Sequence, residues 1–226
     1  MLNSTARLIS YLNITSDWWI ITNDEAELNI KKTRNDNDII PNINVVYDIG
    51  AHKGYFKRFC EKIIPNVVVH QFEANPNKIK SGIWHQVALS HTDNAEVTFY
   101  CNGGTGDSYY IETDEFKKSE YESIILKTKR LDTYVKENNL PLPDFIKIDV
   151  QGAELDILKG CDEIINHCKL IHCEVPAKGV EFNKGAPNQK SYFDFFDLHG
   201  FKFKTKIKDH KANDVLIQHD YIFSKK

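Results

Sequence analysis

Asp48-Ile49-Gly50-Ala51-His52-Lys53-Gly54 carries the residue types best suited to grip a small ligand. The stretch follows the apolar run Val45-Val46-Tyr47 and precedes a helix-compatible segment, Tyr55 to Ile64. Glycine permits a tight turn and a close approach of backbone to ligand. A buried strand that ends in an acid and a glycine-spaced turn, then opens a helix, therefore reads as a cofactor-binding corner. Other acids stand where other apolar runs end. Glu73 closes Val67-Val68-Val69-His70-Gln71-Phe72, Asp149 lies near the end of Phe145-Ile146-Lys147-Ile148-Asp149-Val150, and Glu174 near the end of Leu170-Ile171-His172-Cys173-Glu174-Val175. Open α/β sheets bind ligands outside the C-terminal ends of their strands, near the point where strand order reverses.

The spacing chooses among ligands. A dinucleotide fingerprint needs a middle glycine so that the backbone can touch a pyrophosphate, and His52 occupies that place. A phosphate-cradling loop needs Gly-Lys followed by Ser or Thr, whereas Gly54 is followed by Tyr55 and Phe56. An acid beside a glycine turn suits a ligand with a cationic amino group and a sulfonium, which describes S-adenosylmethionine. Glu73 comes roughly twenty residues after the turn, the separation at which an acid reaches ribose hydroxyls. Lys147 and Asp149 share one face of their strand. Charges in a central strand are costly unless paired or used. At the ligand end, Asp149 could orient an acceptor hydroxyl, take its proton or bind a metal; a structural ion pair with Lys147 or a helix cap is the alternative. Glu154 and Glu174 could complete an acidic site with Asp149, a spacing that permits a divalent metal without demanding one, and none is predicted. His52 and His85 are further candidate bases, and Trp84, Tyr109 and Tyr110 candidate pocket walls, although simple packing also accounts for each.

These residues must be held by alternating strands and helices. From Val45 onward the pattern predicts an α/β fold with a doubly wound, mostly parallel sheet. Strands are expected at Val45–Ile49, Val67–Phe72, Gln86–Leu89, Ala95–Cys101, Asp144–Val150 and Leu170–Val175. Helices are expected from Tyr55 to Ile64, from about Lys127 to Asn138, from Gly152 to His167 and from Ser191 to His199, the last closed by Gly200 as a C-cap. Phe201-Lys202-Phe203-Lys204-Thr205-Lys206-Ile207-Lys208 alternates apolar residues with four lysines. Lysine on an edge strand discourages edge-to-edge aggregation, a better account than a phosphate-binding strip. Tyr221-Ile222-Phe223 would insert beside it as an antiparallel C-terminal strand. Residues 1–44, polar and asparagine-rich around Trp18-Trp19-Ile20-Ile21, read as an N-terminal extension to a domain over residues 45–226.

Composition bounds the partners. The 226 residues are 41% hydrophobic with a formal net charge of -3, enough apolar content for one sizeable core and no electrostatic case for nucleic acid. No apolar run approaches the roughly 20 residues that span a bilayer, so no membrane partner is expected. The first residues lack the layout of a secretory signal, and the five cysteines, with no Cys-x-x-Cys pair, read as reduced thiols; the expected location is cytoplasmic. Composition says nothing about oligomeric state.

An ordered set of segments carries a family likeness: Asp48 to Gly54, Phe72-Glu73-Ala74-Asn75-Pro76, Val87-Ala88-Leu89-Ser90, Leu131-Asp132, and Ile146-Lys147-Ile148-Asp149-Val150-Gln151-Gly152-Ala153-Glu154. From about Val45 to the C-terminus the chain resembles the FkbM-type methyltransferases. The resemblance implies a class I, Rossmann-like methyltransferase fold and S-adenosylmethionine as cofactor, commonly for O-methylation of sugar or polyketide hydroxyls. By position it implies that Asp48, Gly50, Ala51 and Gly54 surround the methionine part, Glu73 the ribose, and Ala88 and Leu89 the adenine. Gln151 departs from the family, which usually has glutamate there, and this takes a carboxylate from beside Asp149. The expectation is an O-methyltransferase for a small-molecule or glycan acceptor, with Asp149, Lys147 and Glu174 as catalytic candidates. An NAD(P)-dependent oxidoreductase and a non-catalytic binding protein on the same fold are the alternatives.

Overall fold

Val45-Val46-Tyr47-Asp48-Ile49 is buried on both faces and forms β1 (Val45–Ile49), the centre of a computed structural model that describes residues 42–78, 83–117 and 120–225. Around it the chain folds α1 (Tyr55–Ile63), β2 (Val68–Glu73), β3 (Trp84–Gln86), β4 (Ala88–Leu89), β5 (Glu96–Cys101), β6 (Glu122–Lys129), α2 (Leu131–Glu137) and β7 (Phe145–Ile148). There follow α3 (Glu154–Leu158), α4 (Asp162–His167), β8 (Leu170–Pro176), α5 (Gln189–Leu198), β9 (Phe201–Ala212) and β10 (Val215–Lys225). Most of the expected N-terminal extension, its tryptophans included, lies outside the described residues.

Seven strands form one sheet in the order β3-β2-β1-β7-β8-β10-β9. The first five run parallel, and β10 inserts antiparallel between β8 and β9. This is the doubly wound, mostly parallel class I methyltransferase sheet expected from the sequence, closed by an antiparallel C-terminal strand. The chain leaves β1 toward β2 and later returns to its other side as β7, so the order reverses between β1 and β7. Crevices for ligands form at such a switch point, and Gly50 and Asp149 mark its two lips. Helices cover both faces. Phe56, Phe59, Cys60 and Ile63 of α1 join Val46, Val69, Phe145 and Ile222 in one apolar cluster, while α2 to α5 pack with Tyr47, Ile49, Ile146 and Ile148 in a larger one.

Several local expectations need correction. Gln86–Leu89 is not one strand: the chain pivots at Val87, whose N–H donates to the Glu73 carbonyl at 3.2 Å. Trp84–Gln86 thereby edges the main sheet, while Ala88–Leu89 joins β6 and β5 in a second, three-stranded sheet. Lys127-Thr128-Lys129 is the end of β6 and not a helix entry; Ile124-Ile125-Leu126 masks the strand's alternation in the sequence, because Ile125 is apolar yet exposed on its outer face. The helix expected from Gly152 to His167 is broken. A Cβ on Gly160 would lie 2.4 Å from the Ser90 carbonyl oxygen, so the backbones meet there, and the Asp132 carboxylate accepts from Glu163 and Ile164 N–H at 2.9 and 3.1 Å to cap the restarted helix. The lysine-rich strand is the sheet edge, but Phe203 is half-exposed, its ring against Tyr221, because bulges interrupt the β9–β10 register.

Candidate active site

The cofactor corner is built by conformation before chemistry. Gly50 and Gly54 hold φ of 76° and 70°, and His52 between them 49°. A Cβ on Gly50 would stand 1.9 Å from the Asp149 carbonyl oxygen, so no larger residue lets β1 and β7 release their chains side by side. Gly50 and Ala51 N–H both donate to the Phe72 carbonyl, at 2.9 and 3.1 Å, tying the turn to the end of β2. Glu73 is the next residue. Its Oε2 accepts from His52 N–H and its Oε1 from Asn75 N–H, both at 2.9 Å. Burial raises its pKa, and the two backbone donors offset part of that cost.

Two cavities meet over this corner. The first is lined by Gly50, His52, Glu73, Ala88, Leu89 and Tyr109 among others. Its roof is the glycine-rich loop after Cys101. Asp107 anchors that loop by accepting from Asn75 Nδ2 at 2.7 Å and pairing with Lys78 at 2.5 Å, which brings Thr105 and Ser108 to the wall. Asn75, Lys78 and Asp107 were not among the candidates from sequence. Their roles are long-range, and only the Asn75-Pro76 within a quoted segment hinted at them.

The second cavity is an open cleft lined mostly by polar side chains, about 590 Å³ in volume. It shares Gly50, His52, Thr105 and Asp149 with the first and adds Ala51, Lys147, Gln151, His172, Glu174, Lys208, His210 and Asp220. Lys147 lies behind Asp149. Its Nζ is 3.2 Å from Asp149 Oδ2, 3.4 Å from Asp48 Oδ1 and 3.3 Å from the Gly50 carbonyl. The β1–β7 register sets this up, since Asp48 and Lys147 are cross-strand partners. Burial works against the ammonium, but the Asp149 and Asp48 carboxylates outweigh it and hold the lysine above its ordinary range. Asp149 is the exposed member of the group, 41% open at the mouth of the cleft.

Not every candidate lines a cavity. Asp48 is fully buried, touches neither, and accepts no hydrogen bond among the described residues; burial pushes its carboxyl pKa up, with Lys147 opposing. Gly54 also lies behind the turn, facing Gln71 and Trp84. The acidic trio of Asp149, Glu154 and Glu174 is not assembled. Glu154 turns back to accept from Val150 and Gly152 N–H and the Tyr192 hydroxyl, and burial pushes its pKa up to about 7. His85 is half-buried on the edge strand β3, its ring stacked on Phe72 and its Nε2 3.0 Å from His70 Nδ1, and its pKa is lowered to about 4, chiefly by burial. It is a packing residue. Tyr110 donates to Asp156 at 2.7 Å. The buried cysteines are free thiols, with no zinc-like grouping among the described residues.

The residues present suit S-adenosylmethionine: a buried carboxylate in an apolar-walled pocket for a ribose, and a glycine turn opening onto a polar cleft. A model of the methyltransferase FkbM domain matches residues 48–203. Among curated proteins, "Methyltransferase 1" of Beauveria bassiana is 25% identical over 69% of this chain and 77% of its own length. The 2-O-methyltransferase NoeI of Sinorhizobium fredii is 28% identical over 58% of this chain and 62% of its own. The hexuronic acid methyltransferase AglP of Haloferax volcanii is 26% identical over 61% of this chain and 58% of its own. The chain thus spans less than two thirds of the latter two.

Proposed function

The chain belongs to the FkbM methyltransferase family, and on that premise we propose that it is an S-adenosylmethionine-dependent O-methyltransferase whose acceptor is a hydroxyl of a carbohydrate. One observation carries the reading: a pocket with a buried acid and a polar cleft meet at Gly50, His52 and Asp149. When bound, S-adenosylmethionine supplies a methyl group on a sulfonium. Glu73, with one lone-pair direction free on each oxygen beyond its backbone donors, accepts the two ribose hydroxyls, and Ala88 and Leu89 flank the adenine. The glycine turn holds the methionine part at the junction.

In the cleft, the acceptor hydroxyl would receive the methyl group that bound S-adenosylmethionine supplies, and Asp149 would take the proton that this hydroxyl gives up. Lys147 is a positioning residue that fixes the Asp149 carboxylate through its 3.2 Å contact. Alignment of the two centres supplies most of the acceleration, and proton removal a smaller share. A carbohydrate acceptor fits a cleft rich in hydrogen-bonding side chains, and the two relatives that name a position or a sugar support it. Residues 45–226 form the catalytic unit in this proposal, beginning where the Asp144 carboxylate accepts from Asn44 and Val45 N–H at 2.8 and 3.2 Å.

Calorimetry with S-adenosylhomocysteine and, separately, NAD tests the cofactor: binding of the former alone is expected, and binding of NAD alone overturns the assignment. Asp149→Asn is expected to keep S-adenosylhomocysteine affinity within about threefold while turnover on a sugar acceptor falls by roughly 100-fold or more. Undiminished turnover removes Asp149 from the chemistry.

A further inference from the structure

The far wall of the polar cleft holds a group that methyl transfer, as described, does not use. Glu174, His210 and Asp220 each offer one ligand atom, all within 4.8 Å of one another. Strand register brings them together. Glu174 and Asp220 are cross-strand partners on β8 and β10, and His210 on β9 is a diagonal neighbour of Asp220, whose own partner is Lys208. Like charges directly opposite one another in a sheet are destabilising, and Glu174 is 4% exposed. A buried carboxylate thus stands opposite a partly buried one, and a cation between them would offset their repulsion.

The side chains around the group aim its oxygens. Gln151 and Gln218 amides both donate to Glu174 Oε2, at 2.8 and 3.0 Å. Oε1 accepts no hydrogen bond among the described residues and faces His210 Nε2 at 3.8 Å. His172 Nε2 lies 3.5 Å from Asp220 Oδ1, leaving Oδ2 for His210 at 2.9 Å. His172 Nδ1 is buried without a hydrogen-bond partner among the described residues, while its Nε2 faces Asp220. Each carboxylate is thus held by one oxygen and presents the other to a shared point. Outer partners of this kind orient metal ligands.

We propose that Glu174, His210 and Asp220 bind a divalent cation of the manganese type, held by Glu174 Oε1, His210 Nε2 and Asp220 Oδ2. One imidazole and two carboxylates form a mixed set that manganese accepts. Cis ligands about 2.1 Å from an octahedral cation lie about 3.0 Å apart, close to the 2.9 Å between His210 and Asp220. Glu174 Oε1, at 3.8 Å, closes by a sub-ångström movement. The remaining positions face the cleft that also holds Asp149. There the cation takes two adjacent oxygens of the acceptor, a role that rests on the methyltransferase reading, whereas the cation site stands on geometry alone. His210 and Asp220 lie beyond the residues 48–203 that the family model matches, so the site is a property of this chain's C-terminal hairpin.

The test uses the full chain and Mn2+ alone, followed by loss of the free-ion electron paramagnetic resonance signal. One equivalent taken up is expected, with His210→Ala and Glu174→Gln each weakening uptake at least tenfold while affinity for S-adenosylhomocysteine stays within about threefold of the parent. No uptake, or uptake indifferent to both variants, overturns the proposal and leaves His210 as an imidazolium paired with Asp220. Retained S-adenosylhomocysteine binding in that case leaves the methyltransferase reading standing; Mn2+ uptake without S-adenosylhomocysteine binding does the reverse.

Discussion

Replacing Lys147 by methionine removes a cation that stands between two carboxylates, one of them fully buried. Asp48 is 0% exposed, with Lys147 3.4 Å away as its closest cation, and Asp149 is 41% exposed. Water can screen Asp149, so the cost falls on Asp48. Breaking a buried pair by deleting one partner costs about 3–5 kcal/mol. At about 2–4 °C per kcal/mol for a chain of this size, Lys147→Met should lower the midpoint of thermal unfolding by roughly 6–20 °C. The loss has a sign in pH. In the variant Lys147 no longer opposes the burial that already raises the Asp48 pKa, so protonation relieves the strain, and the deficit should shrink as pH falls through that raised value. Asp48→Asn in the Lys147→Met background should likewise recover at least half of it, because removing both charges of a buried pair is often near neutral. Circular dichroism melts of the parent, the two single variants and the double variant, each at pH 5 and pH 8, give the cycle. A Lys147→Met variant within about 1 kcal/mol of the parent, or a loss that neither acid nor Asp48→Asn reduces, would refute the pairing as the support of the strand ends.

Glu73→Gln should weaken S-adenosylhomocysteine binding by about 10- to 150-fold, the loss of about 1.5–3 kcal/mol for a charge-assisted hydrogen bond, read by calorimetry. In the parent, where burial raises the Glu73 pKa, the same affinity should rise with pH as the carboxylate ionises; an affinity that falls over the acidic range contradicts a ribose contact. Gly50→Ala places a Cβ 1.9 Å from the Asp149 carbonyl at φ 76° and should cost at least about 2 kcal/mol in left-handed strain and overpacking. Its melting midpoint should drop by about 4 °C or more, and S-adenosylhomocysteine binding should be lost; a stable variant with parental affinity removes the turn from the site.

The parts of the fold that sequence revealed are those where one local cause decides the outcome. Val45–Ile49 and Phe145–Ile148 are buried on nearly every residue, so continuous apolar runs betray them. The positive φ of Gly50 and Gly54 requires glycine, and glycine was there to be read. What escaped depends on distant partners. Nothing near Gly160 foretells that Ser90 will press on its backbone and split a helix. β6 hides its alternation because Ile125, on its outer face, is apolar although exposed. The β9–β10 hairpin turns at Asn213-Asp214, both with positive φ (49° and 62°), a pairing compatible with a primed two-residue turn. Without it the lysine strand seemed to end at Lys208, and His210 drew no notice.

That omission separates the two halves of the site by how they are encoded. The first cavity's cofactor candidates Gly50, Glu73, Ala88 and Leu89 come from within forty residues of sequence, and its whole lining, as far as Ile157, stays inside the span that the family model covers. The second takes Glu174, His210 and Asp220 from three strands whose register alone makes them neighbours, and two of these lie beyond that span. A turn fixed by glycine geometry tolerates little variation, whereas a hairpin can exchange side chains on its cleft face without disturbing β1. In the proposed reading, residues of the C-terminal hairpin are therefore free to set which acceptor enters, while the turn and Glu73 keep the donor the same. Gln151 joins the halves: its amide donates to Glu174 at 2.8 Å and to Asp149 at 3.3 Å. A glutamate at that position would add a third negative charge between two carboxylates. The amide tethers both, which is the physical sense of glutamine where the family usually carries an acid.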